Sequence, residues 1–135
     1  MSLHDIFKQY QDDVQFVMIY IQEAHPVDGW WLGGGLAGWL MKLLRLKAST
    51  EIHQAKTIEE RQRAAGQCET ALSYGVRTYV DTIDDAVNKA YAAWPTRLYL
   101  IDKEGVVNYA GALGPGGFKP KEFSKAIQSH LASRK

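Results

Sequence analysis

Val14-Gln15-Phe16-Val17-Met18-Ile19-Tyr20-Ile21, running by way of Gln22 into Glu23-Ala24-His25-Pro26-Val27-Asp28-Gly29-Trp30, is the stretch that decides the fold. The first part is apolar on both faces over strand length, which predicts a buried parallel strand over 14–22. The second gathers a carboxylate, an imidazole, a second carboxylate and an indole, fixed by Pro26 and turned by Gly29. In parallel α/β folds, ligands and reactive groups collect just beyond the carboxyl ends of strands. Nothing in strand stability calls for those residues there. Glu23 and His25 are therefore the first candidates for chemistry.

Working outward, residues 3–12 read as a helix with Ile6, Phe7 and Tyr10 on one face. Gly33-Gly34-Gly35 breaks the chain, and 36–46 reads as a short helix that is apolar nearly all round, a pattern of burial or of a partner surface. The 30–56 stretch reads as an insertion. Thr57-Ile58-Glu59-Glu60 is a capping box opening a helix to about Tyr74, closed by Gly75. Val76 to Asp81 reads as a strand, and Asp84 to Ala93 as an amphipathic helix carrying Val87 and Tyr91. Thr96–Asp102 and Val106–Ala110 form a hairpin across Lys103-Glu104-Gly105, and Pro120 starts the last helix. At 135 residues this is a single domain, 1–135.

A net charge of +1 supplies no field to steer nucleic acid or an anionic membrane, so neither is an expected partner. The single cysteine, Cys68, excludes an internal disulfide and any C-x-x-C pair and suits a reducing compartment. The N-terminus lacks a signal-peptide layout, and a cytoplasmic location is expected. Gly29 to Met41 carries no charge, but a span needs about 20 apolar residues, and Lys42, Arg45 and Lys47 interrupt this one. His4, His53 and His130 lack ligand spacing, and no Ser-His-Asp or phosphate-loop pattern occurs. No metal and no cofactor are expected.

The order strand, helix, strand, helix, hairpin, helix resembles the thioredoxin-like fold, an α/β, three-layer α/β/α arrangement with a mixed sheet. Trp94-Pro95-Thr96 stands where that fold has a cis proline ahead of its hairpin. With Glu23 to Trp30, Thr57 to Arg61, Val80-Asp81-Thr82, Trp94 to Tyr99 and Gly114-Pro115-Gly116-Gly117-Phe118 in line, the chain resembles the iodothyronine deiodinase family. The likeness runs from about residue 4 and looks closest to the bacterial deiodinase-like branch. It implies reductive thiol or selenol chemistry on a small aromatic or halogenated molecule, with a thiol reductant. It implies Glu23 and His25 as active-site acid and imidazole, and an imidazole can relay a proton to a leaving group or keep a thiolate ionised. Arg97 matches the family's arginine just past the proline, where a guanidinium would hold a substrate carboxylate. Trp30 and Trp94, with Pro95, would line the substrate. The bland alternatives are a loop hydrogen bond for His25, a strand-edge salt bridge for Arg97 and core packing for the tryptophans.

Two departures shape the expectations. Family members carry a strand and a cysteine or selenocysteine loop ahead of the first helix. Nothing before Met1 supplies it, so the first strand is expected to be missing and the chain to be inactive without its nucleophile. Cys68 lies mid-helix between Gln67 and Glu69 with no cationic neighbour, and reads as structural. His53 stands two positions ahead of the family's hormone-binding histidine, so thyroid hormone is not implied as substrate. A missing central strand would leave 14–22 unpaired. The gap is expected to close by pairing with 97–102 or through a homodimer burying Trp31, Leu36, Trp39, Leu40 and Leu43 of the 30–46 segment. The alternative readings are a thioredoxin-like thiol peroxidase or reductase, and a non-catalytic binding or assembly module.

Overall fold

The computed structural model describes residues 1–23, 53–72 and 75–134. Its elements follow the expected order: α1 (Leu3–Tyr10), β1 (Val17–Tyr20), α2 (Ile58–Leu72), β2 (Arg77–Val80), α3 (Ala86–Tyr91), β3 (Tyr99–Ile101), β4 (Val107–Ala110) and α4 (Pro120–Ala132). Helices and a mixture of parallel and antiparallel strands form the α/β, thioredoxin-like arrangement. The 36–46 helix and the 30–46 contact surface lie outside the described residues.

Local chemistry sets the helix starts. Ser2 caps α1 in a full capping box, its Oγ accepting from the Asp5 amide while Asp5 Oδ2 accepts from the Ser2 amide at 2.7 Å. The expected box at Thr57 also forms: the Glu60 amide donates to Thr57 Oγ1 at 3.3 Å, and the Thr57 amide to Glu60 Oε2 at 3.3 Å. Pro120 opens α4, where its missing N–H costs nothing.

Strand β1 pairs with β2 in parallel, Val17 opposite Arg77 and Tyr20 opposite Val80, and β3 pairs with β4 antiparallel. Among the described residues these are two separate two-stranded sheets. Direct pairing of 14–22 with 97–102 is therefore not what the fold uses. The strand expected to be buried on both faces is not: Val17 is 48 % and Ile19 42 % exposed. Val17 and Ile19 alternate along the strand and so share one face, and that is the face left open.

The hydrophobic core lies between α1, β3 and α4, where Ile6, Tyr10, Leu100, Phe123 and Ile127 are buried and Phe16, Leu98 and Tyr109 pack against them. Helix α3 departs from expectation. Asn88, not Val87 or Tyr91, is its buried residue, and Tyr91 is exposed. Asn88 is drawn in because its amide serves a buried carboxylate, described next.

Candidate functional site

The carboxyl ends of β1 and β2 lie side by side, since the Asp81 amide donates to the Tyr20 carbonyl at 2.9 Å just past the strand pairs. This puts Glu23 and Asp81 at the end of the parallel sheet where α/β folds place their sites. The two carboxyls are treated in opposite ways.

Asp81 is buried and saturated. Its Oδ1 accepts from the Thr82 amide at 2.8 Å and the Val87 amide at 3.0 Å, and its Oδ2 from the Asn88 amide at 2.8 Å. It thereby caps α3 from a distance, because Asp85 at the cap position has a left-handed backbone and makes no side-chain cap bond. Burial pushes the Asp81 carboxyl up, but those three amides and the Arg61 charge outweigh it and hold it below the usual range. Asp81 is a structural anion.

Glu23 is half-buried and unsaturated. Burial raises its carboxyl above the usual range, and the Arg61 charge offsets only part of that. Its Oε1 is shielded from solvent and has no hydrogen-bond partner among the described residues. The Glu23 carbonyl accepts from Trp94 Nε1 at 3.3 Å, which ties the end of β1 to the loop before β3. The Trp94–Pro95 bond in that loop is cis, as expected, and Gly114–Pro115 is cis as well. The structure thus brings Glu23, Trp94 and Pro95 together. His25 and Trp30 lie outside the described residues.

Arg97 sits in the same loop with its guanidinium largely committed. Its Nε donates to the Gly111 carbonyl at 2.5 Å, and Nη1 reaches the carbonyls of Tyr91 at 3.3 Å and Ala92 at 3.4 Å. Its Cζ stands 5.2 Å over the Tyr99 ring, itself anchored by its hydroxyl to the Tyr91 carbonyl. No salt bridge of Arg97 occurs among the described residues, so the strand-edge ion pair is not what holds it.

The residue that sequence reading missed is Arg61. It is 1 % exposed, donates from Nη1 to the Thr82 carbonyl at 2.6 Å and the Asp81 carbonyl at 3.4 Å, and ion-pairs with Asp85 Oδ1 at 2.8 Å. The signal was present. Arg61 shares the helical stripe of Ile58, Ala64, Ala65 and Cys68, a place where an apolar residue belongs. A guanidinium on a core stripe marks a buried charge with partners waiting. Cys68, on the same stripe, has its thiol pushed up by burial and then by the Glu23 charge, the reverse of an activated nucleophile.

The end of β1 thus carries a carboxylic acid kept protonated into a higher pH range, on a residue whose backbone carbonyl is bonded to the indole ahead of a cis proline, and such an acid can give a proton. Among the described residues no helix is long and apolar enough to cross a membrane.

The family model described as iodothyronine deiodinase matches residues 2–130. The thyroxine 5-deiodinase of Sparus aurata is 34% identical over 125 residues, 93% of this chain and 41% of that protein. That of Aquarana catesbeiana is 37% identical over 122 residues, 90% of this chain and 40% of that protein. That of Homo sapiens is 33% identical, again over 90% of this chain and 35% of its own length. The chain spans between about a third and two-fifths of the length of these relatives.

Proposed function

The chain belongs to the iodothyronine deiodinase family, and from that premise we propose that it is the acid–base and substrate-binding part of a reductive dehalogenase acting on a small aromatic molecule. A deiodinase-like redox function follows from the family. The finer reading rests on one observation: Glu23, whose carbonyl ties the end of β1 to the Trp94–cis-Pro95 loop, has its carboxyl raised by burial.

Replacing a carbon–halogen bond by carbon–hydrogen consumes two electrons and one proton and releases halide. In this proposal a thiol reductant supplies the electrons and becomes a disulfide, and Glu23, with His25, supplies the proton. Arg97 takes the substrate's anionic group with whatever edge of its guanidinium the backbone carbonyls leave free, and Trp30 and Trp94 cover the ring. The sulfur or selenium that reacts with halogen comes from a segment outside these 135 residues, because the thiol of Cys68, the sole cysteine, is pushed up. The non-catalytic reading is favoured for the chain by itself on that same ground.

The test is halide release from an iodinated phenol with dithiothreitol, comparing this chain with the protein extended by its upstream reading frame. We expect turnover only from the extended protein. Turnover by the 135-residue chain that Cys68→Ser abolishes would overturn the reading, as would an active-site thiol or selenol that proves unnecessary in the extended protein.

A further inference from the structure

The polar network around α2 leaves one donor and two acceptors without a hydrogen bond among the described residues. Arg61 Nη1 serves the Thr82 and Asp81 carbonyls and faces Asp85 Oδ1. The Asp81 carboxylate is filled by the Thr82, Val87 and Asn88 amides. Arg61 Nε is sealed from solvent, on a side chain that is 1 % exposed, and has no acceptor among the described residues. Glu23 Oε1 is sealed in the same way and has no donor. Asp85 Oδ1, although 2.8 Å from Nη1, is not aligned to accept a hydrogen bond from it. Buried polar atoms are nearly always paired, and each exception asks for a reason.

Asp85 already has the Arg61 charge as its ion-pair partner, and the other two atoms, Arg61 Nε and Glu23 Oε1, belong to groups of opposite charge near enough to act on each other. Burial is the larger influence on Glu23 and raises its carboxyl, while the Arg61 charge pulls the other way. Among the described residues, the titratable groups that face Glu23 are Arg61 and Cys68, both on α2; Asp81 and Asp85 act on it through Arg61.

We infer that Arg61 is a positioning residue for Glu23: its free Nε is the donor that receives the Glu23 carboxylate once that group ionises, and the neutral acid is the form that stands apart from it. Glu23 then has two resting places, facing the site when protonated and withdrawn on α2 when it has given its proton up. Asp85 competes for the same guanidinium and sets how strongly it draws Glu23. The inference rests on Glu23 being the acid of the proposed reaction, but its test does not.

The experiment is a carbon-13 NMR titration of the Glu23 carboxyl in the 135-residue chain, assigned with Glu23→Gln. Arg61→Met should move the midpoint upward, and Arg61→Lys should bring it part of the way back. Asp85→Asn, which keeps a residue tolerant of the left-handed backbone (φ 58°), should move it downward. A midpoint unmoved, or moved the opposite way, in a variant with native amide shifts elsewhere would overturn the inference. If Arg61→Met does not fold, the Asp85→Asn titration decides alone. Full activity of Glu23→Gln in the extended protein would sink the proposed function yet leave this titration standing, so the two failures are distinguishable.

Discussion

The two halves of this molecule are built on different physics. Around α1, β3 and α4 the interior is hydrocarbon: Ile6 and Ile127 are fully buried, with Phe123, Leu100 and Tyr10 beside them. Around the carboxyl ends of β1 and β2 the interior is charge: Arg61, Asp81 and Asn88 are buried, and Glu23 is half-buried. Hydrocarbon burial is non-directional and tolerates adjustment. A buried guanidinium is directional, and losing one partner strands the others. The first half holds the fold, and the second holds charged groups at set positions, which is what proton chemistry needs.

Removing the buried charge should have the largest effect. Arg61→Met should cost about 3–5 kcal/mol, since it strands Asp85 and uncaps two carbonyls. In urea unfolding, a loss under about 1 kcal/mol would mean the polar half contributes little order. Ile127→Ala in the other half should cost about 2–5 kcal/mol by cavity formation, with little change in the titration of Glu23.

Acid should separate the halves next. The folded-state pKa of Asp81 is depressed, so its contribution is present above the unfolded aspartate value near 3.9 and is lost as pH falls through the folded value. Glu23 runs the other way. Its folded pKa is raised, so stability is greatest below the unfolded value and declines as pH rises through the folded one. Hydrogen exchange in acid should therefore open the Val87 and Asn88 amides before those of β3 and β4. Simultaneous opening would say that the halves are not distinct. The smallest effect belongs to the apolar half's edge: Ser2→Ala should cost about 1 kcal/mol through the lost α1 cap, with no change at Glu23.

What the sequence revealed divides along the same line. The Thr57 box, Pro120 and the glycine of the hairpin turn (Gly105, φ +84°) act through neighbours within a few residues, and each sits where the pattern put it. The family motif pointed to Trp94–Pro95 and to Glu23, which the fold joins. Arg61 escaped because its partners are Asp81, Thr82 and Asp85, about twenty residues on, and no local pattern couples them. The openness of Val17 and Ile19 escaped for a similar reason, since an apolar run states a strand's preference and not what packs on each of its faces.

In the proposed function Glu23, held half-buried in the charged half, delivers the proton. Halide release from an iodinated phenol by the extended protein, with and without Glu23→Gln, measures it directly. The expected result is a fall in kcat of about 10²–10⁴-fold with the melting temperature nearly unchanged. A Glu23→Gln protein that releases halide at the unsubstituted rate would contradict it.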